Sequence, residues 1–340
     1  MPRIPPERGP SPMNTNLGRR SFLKKSVAAA LAAPLVTSLE EYALAAEGTP
    51  ARATASATAP KVTLPTGTIG KVQISRLICG GNLISGYAHS RDLIYVSKLL
   101  KAYFTEEKIM ETWAQCEAHG INTMIFVASD KQALSIYRKY RARGGSIQSL
   151  AQVSPKKNNL AASVQEAVDA GAVGALLVGN EADAWTREGD LDSVGKFLDL
   201  VKAQGLIAGV AGHELRTPMA VEKAGLKPDF YMKTLHSTKY WSTRRPDQMQ
   251  EVIDNYSIDT YWCLDPEGTI RFMQGIGRPW IAYKVLAAGA IHPKAGFQYA
   301  FENGADFCAV GMFDFQIAED VAAASAVIAA TQNRDRDWMA

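Results

Sequence analysis

The sequence is short of the residues on which metal clusters, disulfide scaffolds and nucleic-acid surfaces depend. Only four cysteines occur in 340 residues, Cys79, Cys116, Cys263 and Cys308, and none forms a CxxC pair. That excludes a zinc ribbon and a dithiol redox motif. Cys79 and Cys308 sit in apolar strand patterns and read as small core residues rather than as a bridge. The net charge of +3 is too small to argue for a nucleic-acid partner, and clusters such as Tyr137–Arg143 read as a solvated helix face. No GxGxxG turn follows the first strand pattern, where the chain has CGGNLISGY; a doubly wound dinucleotide-binding sheet would carry one there. The apolar run Val27–Val36 is too short to span a bilayer. Histidine is scarce too, with five in the chain, so the positions of those five are informative.

What is present begins with a leader. Arg19-Arg20 precede Phe22-Leu23-Lys24, a short apolar run and a small-residue site at Ala43–Ala45. This resembles a twin-arginine (Tat) export signal. The resemblance implies the Tat export machinery as a partner, a periplasmic or extracellular location and a protein exported folded, with no stable membrane span once the signal is removed. The Ala/Thr/Pro-rich stretch that follows cannot build a core and reads as a linker. The expected organisation is a signal at 1–45, a linker at 46–65 and one folded domain at 66–334.

From about residue 72, strand-length apolar runs alternate with helical patterns, several of which close on glycine, as at Gly120 and Gly205. The strands are apolar throughout, as expected when both faces are buried. Eight β/α units in this length predict a single-domain α/β (β/α)8 TIM barrel. A long insert, Ser237–Pro279, follows strand six, with room for two helices and a short strand at residues 258–263.

In such a barrel the active site lies at the C-terminal ends of the strands. His89, His213, His236 and His292 all fall there, joined by Glu181, Glu214, Asp265 and Asp314. Neighbouring strands lie about 4.8 Å apart, so Glu181, His213 and His236 are expected to converge as two imidazoles and one carboxylate on a divalent ion, Mn, Zn, Fe or Co. Lys233 and Lys284 fall inside strand patterns, where a lysine is costly and often functional. Lys284 is preferred as the inward one, with Ala282 and Ala288 on its face. Catalytic roles therefore go to Lys284, Glu214 and Lys233. Substrate contacts go to Asn180, Tyr240, Trp241, Arg244 and His292, with Trp185 and Trp262 as a stacking wall.

Three segments resemble the aldo/keto reductases: TGTIGKVQISRLICGGNLISG at the opening, AHGINTMIF before the second strand, and NGADFCAVGMFDFQIAEDVAAA at the last strand and helix. The resemblance implies a barrel over residues 66–327. That family's catalytic set does not carry over. Asp130 and Tyr137 stand at the wrong spacing for its Asp and Tyr, Gln152 stands where its Lys belongs, and Asn180 and Glu181 stand where its His belongs. Without that Tyr and its partners, protonation of a carbonyl during hydride transfer lacks its donor.

The functional expectation is an exported enzyme acting on a small polar substrate, a sugar or hydroxy-carbonyl, by metal-assisted proton transfer of the isomerase, epimerase or lyase kind. The alternatives are an NADP-dependent oxidoreductase with a rearranged catalytic set and a non-catalytic exported ligand-binding barrel.

Overall fold

The computed structural model describes residues 64–89, 93, 95–244, 262–331 and 334–340. The twin-arginine leader and most of the expected linker lie outside the described residues. So do residues 258–261 of the strand expected at 258–263, and Trp262 and Cys263 are not in a strand. The described residues belong to one compact unit, Lys61–Ala340.

An antiparallel hairpin, β1 (Thr66–Ile69) and β2 (Val72–Ser75), opens the fold. The barrel strands are β3 (Leu77–Cys79), β4 (Thr123–Val127), β5 (Gln148–Val153), β6 (Gly174–Leu177), β7 (Ile207–Gly212), β8 (Phe230–Thr234), β9 (Trp280–Tyr283) and β10 (Phe307–Val310). They pair in parallel in sequence order, and β10 closes on β3. Between and after them run α1 (Val96–Tyr103), α2 (Glu106–Ala118), α3 (Lys131–Ala142), α4 (Leu160–Asp169), α5 (Gly179–Glu188), α6 (Leu191–Ala203), α7 (Arg216–Lys223), α8 (Pro266–Gln274), α9 (Pro293–Glu302) and α10 (Ile317–Ala330). This is the expected (β/α)8 barrel, with the long connection after its sixth strand, β8. Among the described residues that connection holds one helix, α8. None of the described helices is long and apolar enough to cross a membrane.

The strands read apolar throughout because each serves two cores. Ile78, Ile125, Leu150, Leu176, Phe230, Met232, Ile281 and Phe307 fill the barrel interior. Their neighbours, among them Met124, Ala151, Leu177, Val210, Tyr231 and Trp280, pack outward against the helices. Strand alternation makes this division automatic.

The N-terminal end of the barrel is closed by two features the sequence did not announce. Ile69, Val72 and Ile74 of the hairpin join the interior cluster, and a Cβ on Gly70 at the hairpin turn would lie 3.2 Å from Ile207 at the start of β7. Residues 334–340 pass over the same end. Asp306, fully buried, accepts from Arg334 Nη2 at 3.1 Å, Arg336 Nη1 at 2.7 Å and the backbone N–H groups of Trp280 and Met339. Arg76 lies between the rings of Phe307 and Trp338 and donates to the carbonyl of Asp306. The folded domain is therefore wider than 66–334. At the front, Leu64 is buried and Pro65 accepts from the N–H of Arg76.

Candidate active site at the C-terminal mouth

Carrying the interior alternation to the strand ends identifies which side chains face the axis at the open mouth. On β7, Ile207 and Ala211 are interior, so His213 continues that face. On β8, Phe230 and Met232 lead to Thr234; on β9, Ile281 leads to Tyr283. Thr234 and Tyr283 are register partners. On β5, Leu150 leads to Gln152, half-buried. The mouth thus presents an imidazole, an alcohol and a phenol on three adjacent strands, with the Gln152 amide on the inward face of β5.

His213 is held by a carboxylate that sequence reasoning missed. Asp183, buried on α5, accepts from His213 Nδ1 at 2.9 Å and from the backbone N–H of His213 at 2.9 Å. It also accepts from Thr217 Oγ1 at 2.6 Å and from the N–H of Glu214 at 3.3 Å. Burial alone would raise the Asp183 carboxyl, but the hydrogen bonds and charge of His213, with the Thr217 bond, hold it below the ordinary carboxylate value. The bond to Asp183 fixes the Nδ1–H tautomer and leaves Nε2 with its lone pair. Burial pushes the proton affinity of His213 below that of an ordinary imidazole; Asp183 pulls it back, and Lys284 and Lys233 add to the lowering. The ring is a neutral base at ordinary pH.

Close packing fixes its position. α5 starts directly after β6, and its first residue, Gly179, has no room for a side chain. A Cβ there would lie 2.8 Å from His213 Cε1, 3.0 Å from its Nδ1 and 3.0 Å from the Tyr283 hydroxyl. The His213 and Tyr283 ring centroids are 5.6 Å apart. Burial, with the charge of Asp183, pushes the Tyr283 phenol well above its ordinary value, so it stays a neutral donor.

The residues expected from sequence are placed as follows. The ion-binding set Glu181, His213 and His236 does not assemble. Glu181 lies in the first turn of α5, not on a strand end, and accepts from Ser154 Oγ at 2.9 Å. His236 has both ring nitrogens occupied, Nδ1 with the carbonyl of Ser237 at 2.9 Å and Nε2 with the N–H of Cys263 at 2.7 Å. Among the described residues, no three His, Cys, Asp or Glu side chains are arranged to hold a metal ion. The donor set does not fit a divalent ion, because both ring nitrogens of His236 are committed to protein partners, Glu181 is turned to Ser154, and only Nε2 of His213 keeps a lone pair.

Lys233 shares the outward face of Tyr231 and Leu235 rather than the axis. Its ammonium, buried and lowered by desolvation, caps the carbonyls of His213 at 2.8 Å and Thr234 at 3.0 Å. Glu214 is also committed, paired with Arg187 Nη1 and Arg216 Nε at 2.6 Å each. Lys284 lies one residue beyond β9 in the left-handed region, at φ 59°, rather than inside the strand. Its Nζ is 3.0 Å from His89 Nε2, which also contacts Asn82 Nδ2 at 2.6 Å. Lys284 therefore stays at the mouth, but not on the face shared by Ala282, which packs outward.

Of the expected substrate contacts, Asn180 is the second residue of α5. Tyr240 packs edge-on to His236 and beside Trp262, over which Arg244 lies at 5.4 Å. Trp241 is 84% exposed and His292 is exposed ahead of α9. Trp185 is core. Asp130 caps α3 by accepting from the N–H of Ala133, and Tyr137 is buried with its hydroxyl on the carbonyl of Ile147. Asp265 caps α8, and Asp314 pairs with Lys108.

No family model and no curated protein matches the sequence. The fold does match solved structures. One, described as a "putative aldo-keto reductase" from Pseudomonas aeruginosa, is 15% identical, covering 77% of this chain and 95% of its own, with a TM-score of 0.52. A second with the same description and source is 16% identical, covering 80% and 100%, with a TM-score of 0.51. At that identity the likeness establishes the barrel fold.

Proposed function

We propose that this TIM-barrel protein is an enzyme that moves a proton on a small polar substrate, a hydroxy-carbonyl or sugar, with His213 as the base. The observation that carries the reading is the buried His213–Asp183 pair at the mouth, 2.9 Å between Nδ1 and the carboxylate. It orients a neutral imidazole with Nε2 as acceptor, which is what a general base requires. Isomerase, epimerase or lyase chemistry all begin with that step. No step is assigned to a metal ion, since the expected ligands do not meet. The twin-arginine pattern at Arg19-Arg20 supports export to the periplasm or cell exterior as part of the same reading.

The test is proton NMR in D2O with a panel of hydroxyaldehydes, hydroxyketones and aldoses and no added cofactor. The wild type should exchange a carbon-bound proton next to the carbonyl of at least one compound, and His213→Gln should not. The likeness to reductase barrels favours a second reading, NADP-dependent carbonyl reduction. Oxidation of NADPH with these compounds, without C–H exchange, would replace the first reading by the second. Ligand binding with neither reaction would leave a non-catalytic barrel.

A further inference from the structure

Two hydroxyls beside His213 have no partner in the fold beyond each other. Thr234, fully buried, and Tyr283 are register partners on adjacent strands, both on the axial face, and outside that mutual contact neither hydroxyl makes a hydrogen bond to the described residues. Buried polar groups are nearly always paired, and an exception calls for a functional explanation. Elsewhere in this barrel tyrosine hydroxyls find acceptors, Tyr137 on the carbonyl of Ile147 and Tyr231 on Glu222. The Tyr283 hydroxyl and His213 Cε1, the atom bonded to Nε2, both flank Gly179, and the two ring centroids are 5.6 Å apart. Both lie beside the first turn of α5, whose preceding residue, Val178, offers no side-chain cap, so the amide dipoles there favour negative charge.

We infer that Tyr283, with Thr234 beside it, holds the substrate's carbonyl oxygen while His213 removes the proton from the adjoining carbon, and that the substrate is a 2-hydroxy aldehyde or ketone. This rests on His213 acting as the base. In the step, Nε2 takes the proton from the carbon that bears the hydroxyl. The freed C–H pair becomes the carbon–carbon double bond of an enediolate, and the carbonyl π pair moves onto oxygen, where the Tyr283 O–H donates to it. Return of the proton to the former carbonyl carbon, with the hydroxyl proton passing to the other oxygen, gives the isomer. No oxidant or reductant is consumed. A phenol, an alcohol and a neutral imidazole suit an oxygen that gains its charge during the reaction, and the Lys284 ammonium lies 5.8 Å from the Tyr283 ring centroid.

Glycolohydroxamate, a planar mimic of an enediolate, is the probe, with affinity read by calorimetry on the whole protein. The wild type should bind it. Tyr283→Phe should weaken binding about 10-fold or more and lower kcat for C–H exchange about 10²-fold with little change in KM. Thr234→Val should show a smaller loss of both, and it stands as the independent variant if Tyr283→Phe does not fold. No binding by the wild type, or unchanged affinity and kcat in the folded variants, would overturn the assignment. If His213→Gln abolishes exchange while Tyr283→Phe leaves it intact, the oxyanion role falls and the base stands. If neither changes exchange, the base falls as well.

Discussion

At the N-terminal end of the barrel, a fully buried carboxylate, Asp306, is met by two guanidinium groups and two backbone N–H groups, and a hairpin and the 334–340 segment cover it. Among the described residues around it, the Nε atoms of Arg334 and Arg336 lack a partner. At the C-terminal end Asp183, Lys233, Glu214 and His236 are committed in the same way, but the Thr234 and Tyr283 hydroxyls beside His213 have no partner beyond each other. One end commits its polar groups to the fold, and the other leaves a few on its axial face uncommitted. The interior strand residues are the same kind at both ends, Ile, Leu and Phe giving way to polar groups only in the last inward position. Stability and reactivity are thus assigned to opposite ends of the same strands.

Four outcomes bear on that division, taken from the largest effect down. His213→Gln should lower exchange by about 10²- to 10⁴-fold with little change in Tm, and wild-type kcat/KM should hold as pH falls to 6.5 and decline only below it, because burial lowers His213 from that value. Equal losses of activity and Tm would erase the distinction between the ends. Asp306→Ala should do the reverse, costing about 3–5 kcal/mol in a denaturant titration, since Arg334 and Arg336 would remain buried without their carboxylate. The exchange rate per folded molecule should be unchanged. Asp320→Asn sharpens the contrast, because Asp320 is a buried acid with its pKa pushed up to about 7 by burial and by Glu319. Its folded value exceeds the unfolded 3.8, so wild-type stability falls as pH rises between those values. The variant's advantage in Tm should grow over that window and level off above pH 7. Smallest is Thr234→Val in the absence of ligand, where removing a hydroxyl with no partner beyond Tyr283 should change stability by no more than about 1 kcal/mol, in either direction. A loss of 2 kcal/mol or more in that titration would mean that the hydroxyl serves the fold after all.

The barrel was readable because its evidence is local and repeated. Doubly buried strands read as continuous apolar runs, and helices end at glycines such as Gly120 and Gly205, which adopt φ 87° and 72°. His213 was readable for the same reason, as the polar end of an apolar strand. Its partner was not. Glu181 and Asp183 are two residues apart, and the choice between them turned on whether VGNEAD ends a strand or begins a helix. The structure starts α5 at Gly179, which turns Asp183 toward β7 and leaves Glu181 with Ser154. Tyr283 was readable in principle, since it shares parity with Ile281, but the lysine beside it reads as the inward residue only if the strand continues past Tyr283. The φ of 59° at Lys284 breaks that alternation. His236 lies two residues beyond the end of β8, and its bond from Cys263 joins residues 27 apart in sequence, a distance at which spacing carries no information.

The hairpin β1–β2 has a kinetic consequence. With the N-terminal end stoppered by the hairpin, the C-terminal mouth is the side of the described barrel from which His213 is approached and left. A departing product occupies the route that the next molecule needs, so inhibition by accumulated product should be competitive with substrate, and a bulky group placed in that mouth should slow entry and exit together.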